Sequence, residues 1–142
     1  MTTTGAFPGP VRPSGPDKDW LASVPVKKDD GSVAGIVVTG WSFRRFAFHL
    51  QETLKHDLET KQQNQKLPVL YIALFDKSGA YSAPQTPQIN EKTLSDLDLV
   101  TKTAAGPARG TTTIDDRAFG WAAARVPTMG GEIGIAVLRS EL

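Results

Sequence analysis

The sequence predicts an α+β fold: a five-stranded antiparallel sheet with helices, preceded by an extra N-terminal β-hairpin. Two long stretches repeat apolar residues at three and four, the period of a helix, while shorter stretches rich in β-branched residues lie between turn residues. From Phe43 onward these stretches run α-β-β-α-β-β-β, an order that suits helices layered against an antiparallel sheet. The third observation is a similarity between DWLASVPVKKDDGSVAGIVVTG, Asp19–Gly40, and FGWAAARVPTMGGEIGIAVL, Phe119–Leu138. Each carries a Trp (Trp20, Trp121), then a Pro (Pro25, Pro127), a Gly-bearing turn, and a Gly that opens an aliphatic run.

A chain of 142 residues has room for one ordinary domain with a core of normal size. Its 16 Lys and Arg against 15 Asp and Glu leave a formal charge of +1, which gives no reason to expect nucleic acid or an anionic membrane. The absence of cysteine excludes disulfides, thiolate metal sites and cysteine nucleophiles. No apolar run approaches the roughly 20 residues that span a bilayer, so no membrane insertion is expected. The N-terminus lacks the apolar core of a signal peptide. The expected location is the cytoplasm for the chain as written, or the periplasm if it is a fragment of a receptor.

Residues 1–17 are expected to be a disordered Pro/Gly-rich tail, because Met1–Pro16 has few side chains able to offset the entropy of ordering it. Residues 18–41 form the hairpin: Trp20–Val26 and Val33–Thr39 flank a turn holding Asp30-Gly31. A lone hairpin is marginal in water, so it should extend its own sheet or reach the sheet of a second chain, burying Ile36 and Val38. Residues 42–142 form the main domain. Ser42 is the expected N-cap of a helix whose Phe43, Phe46, Ala47, Leu50, Leu54 and Leu58 share a face and which ends near Lys61. Val69–Phe75 is apolar on both faces and reads as a central strand. Asp76–Gly79 turns the chain into Ala80–Ala83. Ile89 and Leu94 bracket Asn90 as a staple around an N-cap, opening a helix over Asn90–Ala105 that stops at Gly106-Pro107. Three strands complete the order, Thr111–Ile114, Ala118–Val126 and Glu132–Leu138, with the helices gathered on one face or at the margins of the sheet.

This order, with its long leading helix, resembles that of PAS-like Cache sensor domains of bacterial signalling proteins. LYIALFDKSGAYSAP is similar to the first Cache hairpin, a strand ending in Asp-x-x-Gly. TTTIDDRAFGWAAARVPTMGGEIGIAVL is similar to the last three strands, with an alanine-rich strand ending in Pro and a final strand opened by Gly. Roadblock and profilin-like modules share the same order. The resemblance implies a non-catalytic sensory or signal-relay module whose partner is a small molecule or a signalling protein. The roadblock alternative implies a dimeric scaffold for protein–protein interaction in a bacterial regulatory system. In a Cache unit the Trp-to-Gly hairpin closes the domain, so Asp19–Val38 looks like the tail of a preceding copy. No cofactor is implied.

The candidate chemistry is sparse. His49 and His56 lie seven apart on the first helix, too far for the i, i+4 convergence of a helical metal pair, and read as solvated. Asp115-Asp116 reads as turn chemistry and not as an acid/base pair. Arg44-Arg45 reads as a solvated helix start. No catalytic or metal-binding residue is expected. In a PAS-like fold a small molecule sits between the sheet and the second helix, and Tyr71, Tyr81, Trp121 and Arg125 are the candidate lining of that space.

Overall fold

The apolar run Val69–Phe75 organises the molecule, because alternate side chains of a strand point to opposite faces. A strand can be apolar throughout only where both faces are covered. In the computed structural model, which describes residues 3–9, 16–61 and 67–141, both faces are covered. The strands are β1 (Thr3–Pro8), β2 (Lys18–Lys27), β3 (Val33–Ser42), β4 (Val69–Asp76), β5 (Gly79–Ser82), β6 (Ala108–Ile114), β7 (Arg117–Arg125) and β8 (Gly134–Ser140). The helices are α1 (Phe43–Lys61), α2 (Gln88–Asp96) and α3 (Leu99–Lys102). The expected α+β class and the five-stranded antiparallel sheet are present, with strand order β5-β4-β8-β7-β6.

The helices do not gather on one face. Ile72 and Leu74 of β4 pack with Phe43 and Ala47 of α1, while Ala73 and Phe75 pack with Leu94 of α2 and Leu99 of α3. The sheet is therefore the middle of three layers, as the two-sided pattern of β4 requires. Ser42 caps α1 as expected, its hydroxyl accepting the Arg45 amide at 3.0 Å. Gln51 of α1 is fully buried, and its side-chain oxygen accepts the Ile72 amide at 2.9 Å. That donor lies one residue before the β4–β5 ladder begins, so Gln51 supplies the partner that the short β5 cannot.

The second helix differs from expectation. It begins earlier, at Gln88, with Asn90 buried inside it and Ile89 exposed, so no staple forms. It also breaks at Asp98, which adopts a left-handed φ of 52°, before α3. Leu94 and Leu99 are five apart, about 140° around a continuous helix, and could not both face the sheet. The break lets both do so.

The N-terminal hairpin forms where expected, but it does not join the main sheet. β2 and β3 pair with β1 in a separate sheet of order β1-β2-β3. The strand at Thr3–Pro8 lies in the stretch expected to be unordered; its backbone pairs with Lys18–Ser23. Residues 1–2 and 10–15 of that stretch lie outside the described residues. Ile36 and Val38, expected to be buried, are 66% and 59% exposed. Both similar segments are hairpins, yet Pro25 lies within β2 whereas Pro127 opens the short 3-10 turn before β8. Among the described residues no helix is long and apolar enough to cross a membrane.

The root of the hairpin is held by two indoles, Trp20 and Trp41, opposite each other with ring centroids 4.5 Å apart. Trp20 donates its Nε1 proton to the Met129 carbonyl at 2.7 Å, whereas the buried Nε1 of Trp41 has no partner among the described residues. Replacement by Phe keeps a ring but removes the donor. At Trp20 this leaves a buried carbonyl unpaired; at Trp41 it removes an unpaired donor. Trp20→Phe is expected to cost about 1–2 kcal/mol more than Trp41→Phe in urea denaturation. Equal costs would show that the Met129 bond holds nothing.

Candidate functional site

The four expected lining residues do not assemble one cavity. Tyr71 stands opposite Leu138, and Leu138 opposite Trp121, so the three form a row across the face that α2 and α3 cover. The row ends at Gly110, where a Cβ would come within 2.8 Å of the Trp121 ring. Tyr81 is on the opposite face: it pairs with Leu74 and meets Phe43 edge-on at a centroid distance of 5.8 Å. Arg125 braces α3, its Nη2 donating to the Val100 carbonyl at 2.7 Å. The space between sheet and helices is filled by Phe75, Leu94, Leu99, Phe119 and Leu138. Beside Phe75 and Ser95 a void of only about 100 Å³ is left. Small-molecule sites run from roughly 300 Å³ upward, so this void is too small for one. Tyr71 also borders a separate hollow of about 410 Å³ beside Leu58 and Pro68, away from Tyr81, Trp121 and Arg125.

The strongest electrostatic feature is at the start of α1, which the sequence reading leaves solvated. Arg44 is buried instead, and its guanidinium forms a two-pronged pair with Glu91 of α2 at 2.7 and 2.8 Å. It also donates to the carbonyls of Ser82 at 3.1 Å and Pro16 at 2.9 Å. The Ser82 hydroxyl donates to the same Glu91 carboxylate. Burial raises the Glu91 carboxyl, but hydrogen bonds from Arg44 and Ser82 and the Arg44 charge outweigh it and hold the group below its ordinary value. Asp76 behaves alike: burial raises it, and Lys18 and Ser78 bring it below the usual range. Each nitrogen of the Arg44 fork is thus engaged by the protein itself. A hollow of about 300 Å³ opens beside it, between Arg44, Phe48 and Pro84.

A larger opening lies elsewhere. β7 alternates large and small: Phe119, Trp121 and Ala123 are buried under α2 and α3, while Ala118, Gly120 and Ala122 point the other way and are exposed. On that face α1 packs over β4 and β5 and leaves β6, β7 and half of β8 uncovered. The result is a wide trough of about 1050 Å³ floored by Ala118, Gly120, Ala122 and Val137, with Arg109 and Arg139 at its rim. A further hollow of about 520 Å³ continues it toward Ala124 and Ile135. The floor is apolar, with Thr111 beside Gly120 and with Asp116, Arg117, Ser140 and Glu141 around its lower end. Arg139 is paired with Glu141 at 2.8 Å, and Arg117 at the lower rim donates to Ser140 at 2.9 Å. The signal for this face was in the sequence: the small residues 118, 120, 122 and 124 share one parity.

The remaining candidates behave as surface groups. His49 and His56 are exposed, and no cluster of three or more His, Cys, Asp or Glu that could hold a metal occurs among the described residues. Asp115 and Asp116 both have positive φ, 49° and 62°, and form the two-residue loop between β6 and β7. No protein-family model matches the chain, and no curated protein is significantly similar to it.

The paired carboxylates have a consequence for pH. Because Glu91 and Asp76 sit below their ordinary values of 4.5 and 3.8 when folded, the unfolded chain takes up protons first as pH falls. Their stabilisation is complete above the unfolded values and is lost as pH drops through the folded ones. The melting temperature is expected to be flat near neutrality and to fall below about pH 4.5, and Glu91→Gln to flatten that fall while lowering stability at pH 7. Identical acid profiles for the two proteins would remove Glu91 from the account.

Proposed function

We propose that this chain is a non-catalytic signal-relay module that works by protein contact on the open face of its sheet. The observation that carries the proposal is the contrast between the two faces. The space where a PAS- or Cache-like domain would hold a small molecule is filled but for a void of about 100 Å³, while the opposite face is a broad trough with an apolar floor. Ala and Gly let another backbone approach closely, and the trough is open along the uncovered half of the sheet, where a segment of a partner protein could lie. The α-β-β-α-β-β-β order supports the layout of PAS/Cache sensor units and, equally, of roadblock and profilin-like modules. The filled interior favours the second, a scaffold that dimerises or docks a partner in a bacterial regulatory system.

Native mass spectrometry of the purified protein distinguishes contact from small-molecule sensing. The expected spectrum contains the polypeptide and its assemblies at their sequence masses. A stoichiometric small-molecule adduct that survives desalting would overturn the contact reading and restore the sensor.

A further inference from the structure

We propose that the occupant of the trough is a second copy of this chain, which inserts its β2–β3 arm there and receives the first copy's arm in return. This rests on reading the trough as a protein-contact face.

The arm is the other unsatisfied surface of the molecule. Six of the eight large apolar side chains that remain exposed among the described residues belong to it: Val24, Val26, Val33, Ile36, Val37 and Val38. They occupy both faces, since Val24 stands opposite Val37 and Ile36 opposite Pro25, one residue out of phase. The outer edge of β3 is also open. Its sequence, VAGIVVTGWS, holds no charge and no proline, the devices by which edge strands of monomers avoid pairing. Two arms joined edge to edge would satisfy the backbone of β3 but leave its aliphatic faces in water. A trough covers a face.

The shapes match. Ile36 and Val38 form a β-branched ridge on the side of the arm away from its own α1, and Ala118, Gly120 and Ala122 form a floor with no side chain larger than a methyl group. The arm cannot swing into its own trough, because its root is fixed by the Trp20–Met129 hydrogen bond and the Trp41–Phe46 stack. In a two-fold dimer each copy gives one arm and receives one, so a single surface satisfies itself twice.

Sedimentation equilibrium on the full chain tests this with Ile36→Lys and Ala122→Glu. Both positions are exposed, so each variant should keep the melting temperature of a folded monomer. The wild type is expected at twice the 15.3 kDa chain mass at micromolar concentration, and each variant alone at the chain mass. An equimolar mixture of the two should recover the dimer, because one contact is then wild type on both sides and the other pairs Lys with Glu. A wild-type monomer overturns the exchange while leaving the native mass spectrum to judge the contact reading separately. A dimer that survives Ala122→Glu overturns it too, in favour of arms paired edge to edge.

Discussion

The structure depends on the clasp between Arg44 and Glu91. Helices α1 and α2 lie on opposite faces of the sheet and cannot touch through it. They meet around the edge of β5, where the buried guanidinium holds the α2 carboxylate and the Ser82 carbonyl together. A buried pair of this kind contributes little net energy over an apolar substitute, yet losing one partner leaves a charge stranded at several kcal/mol. Its effect is therefore geometric. It fixes α1 over the β4–β5 half of the sheet, and the state of the other half is a consequence of that placement.

With α1 held to one side, the two faces of the sheet become unequal. On the α2–α3 side β7 presents Phe119, Trp121 and Ala123, which fill the space to the helices; on the other side it presents Ala118, Gly120 and Ala122, with nothing above them. Gly134, beside this region, shows how tight the filled side is: any side chain there would overlap the Phe75 ring and the Ala124 carbonyl. One side of the sheet has given its volume to packing. The other is left open.

The N-terminal sheet is anchored rather than packed. Trp20, Trp41 and Ala22 seat its root on α1 and the β7–β8 connection, and the Lys18–Asp76 pair ties it to β4. Beyond the root its aliphatic side chains stay exposed among the described residues, although a β-hairpin of this length gains little from its own cross-strand pairs. An exposed apolar arm and an open trough thus stand in the same chain, the pair of surfaces on which the proposed exchange between copies rests.

The sequence by itself determined the local elements and the existence of the layers. The period of α1, the Ser42 cap, the Asp-Gly and Asp-Asp turns and the two-sided run of β4 each arise from a few adjacent residues, and each stands in the structure within a few positions. The parity of a strand was equally legible. Tyr71 and Tyr81 lie on different strands, though, and only the β4–β5 register, which sets Tyr81 against Leu74, sends them to opposite faces and dissolves the expected lining. The break at Asp98 comes from the need to turn both Leu94 and Leu99 toward one sheet, a demand no stretch of helix states locally. The burial of Arg44 depends on a carboxylate 47 positions away. The exposure of Ile36 and Val38 depends on where the main sheet is not. Contacts between residues far apart in the chain carry no periodicity, so the tertiary structure alone decided which faces were filled and which were left open.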